Sequence, residues 1–125
     1  MLRPALLGIL MLITTAPTGA GERISLNVSP VVAFAPANLV VRARIEADPE
    51  NRALAIIAES NDFYRSSEIQ LEGARAPRTT MFEFRQLPPG TYEVRAKLVG
   101  ADGQERGYVR RSVNIIDTAA GEHGR

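Results

Sequence analysis

Residues 80–116 read TMFEFRQLPPGTYEVRAKLVGADGQERGYVRRSVNII, and this stretch decides the fold. Phe82 and Phe84 share one parity, with Met81, Glu83 and Arg85 on the other. After the Pro88-Pro89-Gly90 corner, Tyr92, Val94, Ala96 and Leu98 alternate with Glu93, Arg95 and Lys97. Alternation with a period of two is the mark of a strand that is apolar on one face and wet on the other. Leu87 is placed to plug the core just before the corner. Gly100-Ala101-Asp102-Gly103 supplies the positive φ that a tight hairpin needs. In the last strand Val109, Val113 and Ile115 keep one parity and Arg111 breaks it, which predicts a bulge near Arg110–Arg111.

Working outward, the same signal recurs. Ile24, Leu26 and Val28 alternate with polar neighbours. Pro30 and Pro36 bracket VVAFA, as expected of an edge strand that crosses between sheets, because proline cannot donate to a central ladder. Leu39, Val41, Ala43 and Ile45 share a face, and Asp48-Pro49-Glu50-Asn51 reads as a turn. The unbroken apolar run Ala53 to Ala58 reads as a central strand. Residues 63–71 supply one or two short strands with Phe63, Ile69 and Leu71 inward. No stretch beyond residue 20 keeps helical apolar spacing over three turns. About seven strands at 8–12-residue spacing indicate an all-β antiparallel sandwich over residues 22–117. A polar tail, 118–125, follows.

The first 20 residues read as a signal peptide. Arg3 precedes the apolar run Leu6 to Ile13, and Thr18 and Ala20 suit a peptidase that cuts after small residues. The run falls short of the roughly 20 residues that cross a bilayer. Cleavage leaves 14 basic and 14 acidic residues, since Arg3 is the one charge removed from 15 and 14. A chain of zero net charge has no global field for nucleic acid or an anionic membrane. Without cysteine there is neither thiol catalysis nor a thiolate metal site. The expected location is exported, periplasmic or extracellular.

Little in the chain carries chemistry. His123 is the single histidine and lies in the tail, so a His-based metal site or a Ser–His relay lacks its parts. Phosphate-binding glycine motifs are absent. The carboxylate pairs Asp48/Glu50, Glu59/Asp62 and Asp102/Glu105 fall in predicted turns. These observations predict no catalytic, cofactor or metal residues. Two surface features remain. Arg95, Lys97, Arg106 and Arg110 would form a basic stripe if the last two strands pair, unless Glu93 and Glu105 neutralise it. Tyr64 would offer an exposed aromatic to a sugar ring.

The segment 82–94, FEFRQLPPGTYEV, resembles the corner of fibronectin type III and related bacterial immunoglobulin-like domains. In that pattern Phe82, Phe84, Leu87, Gly90, Tyr92 and Val94 fill the aromatic, plug, glycine and Tyr-x-Val positions. The resemblance implies an immunoglobulin-like sandwich with Tyr92 as a tyrosine corner, its hydroxyl bonded to nearby backbone. LPPGTY is also similar to a segment of carboxypeptidase-regulatory-like, prealbumin-type sandwiches, which usually carry a glycine-containing turn that residues 76–80 lack. The family reading implies a non-catalytic, exported module that binds an unidentified protein partner or has a structural role in the envelope. Its alternative is a glycan- or polymer-binding accessory domain.

Overall fold

A computed structural model describes residues 23–118 of the 125-residue chain. The expected signal segment, His123 and nearly all of the tail lie outside the described residues. Among the described residues there are eight strands: β1 (Ile24–Ser29), β2 (Val32–Phe34), β3 (Ala37–Ile45), β4 (Asn51–Glu59), β5 (Tyr64–Gln70), β6 (Thr79–Leu87), β7 (Gly90–Gly100) and β8 (Glu105–Ile116). A 3-10 turn, Gly73–Arg75, lies between β5 and β6. The chain is an all-β sandwich of a three-stranded sheet, β1-β3-β6, and a five-stranded sheet, β2-β8-β7-β4-β5.

The alternation in the sequence becomes the core. Every second residue of β1 and β3, from Ile24 to Val28 and from Ala37 to Ile45, is buried. These meet Leu54, Ile56 and Ala58 of β4 and Tyr92, Val94, Ala96 and Leu98 of β7 across the sandwich. The apolar run in β4 is central, with β7 on one side and β5 on the other. Its second face, Ala55 and Ile57, is half-buried. The prolines act as expected at the crossing. The chain leaves the three-stranded sheet at Pro30, adds β2 in parallel to β8, and returns after Pro36 to begin β3.

The corner between β6 and β7 is tightly specified. Phe84 is buried with its ring edge-on to half-buried Phe82 at a centroid distance of 4.9 Å. Leu87 is fully buried below them. The chain then turns so that the Tyr92 hydroxyl donates to the Pro88 carbonyl at 2.8 Å. Gly90 allows this approach. A Cβ there would stand 3.1 Å from the Ser60 Cβ and 3.5 Å from the Tyr92 ring, at a φ of +154°.

One expectation is corrected at β8. No bulge lies at Arg110–Arg111, where the register runs unbroken, with Val94 opposite Arg111 and Ala96 opposite Val109. The irregularity falls where Leu98 and Val99 face Gly107 and Glu105, so the extra residue is Arg106. Arg111 therefore keeps the inward parity, and its side chain is exposed because β2 flanks β8 only from Asn114 onward.

Candidate functional site

On the outer face of the five-stranded sheet the register sets like charges side by side. Glu93 of β7 stands opposite Glu59 of β4, and Arg95 stands opposite Arg110 of β8. Direct like-charge neighbours destabilise a sheet, and here diagonal pairing offsets that. Arg95 donates to Glu93 Oε1 at 2.8 Å and to Glu59 Oε1 at 3.0 Å, while Arg110 donates to Glu93 Oε2 at 3.2 Å. The four side chains form one neutral zigzag across three strands.

The zigzag edges a shallow depression of about 600 Å³. Glu59, Ser60 and Asn61 reach it from the end of β4, Thr91 to Glu93 and Arg95 from β7, and Arg110 to Ser112 from β8. With the zigzag neutral, Arg111 is the surplus charge of the lining. The two arginines of the zigzag differ in availability: the Arg95 side chain is 20% exposed and the Arg110 side chain 66%. Arg95 is held on both sides, whereas Arg110 turns most of its guanidinium to solvent beside Arg111 and the exposed hydroxyls of Thr91 and Ser112.

The hydrogen bond from Arg95, helped by the charge of Arg110, holds the Glu93 carboxyl below the usual carboxylate range. The bond to Glu93 raises Arg95 in return. Since the folded pKa of Glu93 is depressed, its contribution is complete above its unfolded value and is lost as pH falls through the folded one. Burial raises the Tyr92 hydroxyl, with the neighbouring Ser60 hydroxyl and the Arg65 charge pulling the other way. Neither group is poised to exchange a proton near pH 7.

The predicted basic stripe is thus divided. Arg95 and Arg110 are neighbours, but Lys97 faces Tyr108, and Arg106 turns aside to pair with Asp48 at 2.8 Å. Tyr64 is exposed on β5 opposite Glu59. The next exposed tyrosine on this face, Tyr108, is three strand spacings away, about 14 Å or more. That is too far for both rings to stack on one sugar. Corner residues Phe82, Phe84, Leu87, Gly90, Tyr92 and Val94 lie together, and of these Tyr92 alone lines the depression. Sequence reasoning missed Glu59, Ser60, Asn61, Thr91 and Ser112 as lining residues. The parity break at Arg111 was the signal that pointed there.

No protein-family model matches the chain, and no curated protein matches it in sequence. The fold is found in solved structures. Two variants of superoxide reductase (neelaredoxin) from Ignicoccus hospitalis are similar at TM-scores of 0.60 and 0.62, each 11% identical in sequence. The first likeness covers 80% of this chain and 86% of that one, the second 78% and 83%. A family 76 glycoside hydrolase from a bovine Bacteroides thetaiotaomicron strain is similar at TM-score 0.54 and 15% identity, over 76% of this chain and 20% of that protein. At these identities the likeness is one of fold.

The comparison corrects the family expectation. The sandwich aligns with superoxide reductase, so neither the fibronectin type III and immunoglobulin-like assignment nor its carboxypeptidase-regulatory-like alternative stands. It likewise removes the ground for a non-catalytic binding module, with its glycan-binding variant. The frame that suggested such a module is an enzyme's frame in the structures most of whose length it matches. A fold hosts more than one function, and the site has to be argued from its own residues.

Proposed function

We propose that the protein binds an oxyanion-bearing ligand, carboxylate or phosphate in type, in the depression formed by β4, β7 and β8. The observation that carries this reading is the placement of Arg111. It holds an inward position of β8 yet is exposed, and among the described residues it adds a cation with no acidic partner beside the exposed Arg110. Arg110 gives one donor to Glu93 and Arg111 one to the Arg110 carbonyl at 2.8 Å. Each guanidinium carries five N–H donors, so both keep a free fork of the geometry that matches carboxylate or phosphate. Thr91 and Ser112 add hydroxyl donors at the rim. The apolar leader at residues 6–13 supports an exported location for this site.

Superoxide, the anion named for the similar structures, has the charge this depression attracts. Reducing it takes an electron donor. The chain has one histidine and no cysteine, and no group of three His, Cys, Asp or Glu among the described residues is placed to hold a metal. These residues do not fit a metal redox centre, and they support no redox step.

Calorimetric titration of the full chain with inorganic phosphate tests the reading. Binding is expected in the millimolar range, about −4 kcal/mol, and to weaken with added salt. Arg110→Ala is expected to reduce affinity about tenfold, the effect of losing one charge-assisted pair. Arg75→Ala, at an exposed arginine whose side chain pairs with Glu72 away from the depression, serves as control and leaves affinity unchanged. Equal affinity in wild type and Arg110→Ala would sink the proposal.

A further inference from the structure

Residues 24–41 carry no charged side chain, and where they cross between the sheets they are exposed. Val31, Val32 and Phe34 are each more than half exposed, between exposed Pro30 and Pro36. Ile116, the partner of Phe34 on β8, is exposed as well. A continuous exposed apolar strip of this kind marks a protein or a membrane contact.

The strip continues the arginine depression. Val32 pairs with Asn114 of β8, which pairs with Thr91 of β7. Paired residues share a face of the sheet, as do residues two apart on one strand. Val32 and Phe34 therefore look out on the same side as Asn114, Ser112 and Arg110. One strand spacing and two residues of rise put Val32 about 8 Å from Ser112 between Cα atoms, at the rim of the depression. The cations beside the strip keep their charge. Asp117, past the end of β8, is six residues from Arg111, about 20 Å along the strand and beyond the screening length of salt.

An apolar strip and two arginines with free donors on one face match an amphiphilic anion. A partner strand is a poor fit, because the free edge of β2 is three residues long and lies between prolines that have no N–H to donate. A bilayer interface asks for no register. It takes up apolar side chains, while cations beside them meet headgroup phosphates. The contact is shallow. The Val31 carbonyl and the Ala35 N–H are spent on β8, which leaves the backbone groups of Val32 and Phe34 to water or headgroups, since hydrocarbon would not satisfy them.

We propose that the strip and the depression form one contact with an anionic phospholipid surface. Val31, Val32 and Phe34 enter the interface, and Arg110 and Arg111 take headgroup phosphates. The inference rests on the oxyanion reading and names its ligand as a lipid phosphodiester. The mature chain is neutral and has no long-range attraction for the surface, so binding needs both halves of the contact.

The full chain has no tryptophan, so Phe34→Trp puts a single fluorescent reporter at an exposed point of the strip. Phosphatidylglycerol vesicles are expected to move its emission to shorter wavelength, and phosphatidylcholine vesicles to bind at least about tenfold more weakly. In this background Arg110→Ala and Arg111→Ala each weaken binding to phosphatidylglycerol about fivefold, the worth of one cation at an anionic surface. Val32→Ser weakens it by a similar factor, about fivefold. The apolar leader at residues 6–13 is common to all variants and cannot account for a difference between them. Vesicles that leave the emission unchanged overturn the inference. A shift indifferent to both arginine replacements also overturns it, because the strip would then enter lipid without the depression. So does a shift that grows with protein concentration when no vesicles are present, which would put a second copy on the strip. Inorganic phosphate titrated into the same protein separates the two failures. Phosphate bound while vesicles leave the emission unmoved removes the lipid inference alone; phosphate not bound removes the oxyanion reading with it.

Discussion

Phe84→Ala lowers the free energy of unfolding by about 3–5 kcal/mol, the range for emptying a large aromatic from a core. Phe84 is 1% exposed and sits on the edge strand β6 of the three-stranded sheet, opposite Leu39 of the central strand β3. Its ring fills space between the sheets, and Phe82 meets it edge-on from the next inward position of the strand. The space it leaves cannot close cheaply, because β6 is held in register by its ladder to β3. A domain of this size has a total stability on the order of 5–15 kcal/mol, so the variant loses a large fraction of it. Urea denaturation followed by circular dichroism reads the change directly. Phe82→Ala, at a half-buried position, is expected to cost less, roughly 1–2 kcal/mol. A loss below about 1 kcal/mol at Phe84 would mean that this ring does not occupy the sandwich interior.

Tyr92 is expected to show two separable contributions. Tyr92→Ala costs about 3–5 kcal/mol, as for other buried aromatics, since the side chain is 1% exposed and packs edge-on to Phe63 at 6.3 Å. Tyr92→Phe keeps that packing and removes only the hydroxyl. It costs about 1–2 kcal/mol, because the Pro88 carbonyl loses its 2.8 Å donor at a corner closed by prolines that can offer no N–H. The same denaturation measurement separates the two variants. A Tyr92→Phe protein as stable as wild type would show that the hydroxyl bond does not hold the corner.

How much of this was legible in the sequence depended on the range of the interaction. Period-two alternation is local, and it located β1, β3, β6 and β7 with the correct inward residues. Pro30 and Pro36 marked the sheet crossing because their missing N–H groups are local facts too. Arg111 was different. A charged residue at an apolar parity has two physical solutions: insert a residue so that it turns out, or leave the position uncovered. The choice depends on how far β2 extends along β8, a pairing more than 70 residues apart in sequence. The basic stripe failed for a related reason. Arg95 falls opposite Arg110, and Glu93 opposite Glu59, only once two strand registers are fixed. The Arg106 contact with Asp48 spans 58 residues and follows from the extra residue in β8. The superoxide reductase likeness left no trace in motifs, as 11% identity leads one to expect.

The oxyanion site is tested most directly by a phosphate titration of the 15N-labelled full chain, followed by NMR amide shifts. Saturable shifts are expected at Thr91, Arg110, Arg111 and Ser112, and in Arg110→Ala they need about tenfold more phosphate. The opposite result is equally plain. If the shifts fail to saturate, or appear as strongly at Arg42 and Arg44 on the far sheet as at Arg110 and Arg111, phosphate is screening exposed arginines and the depression is not a binding site.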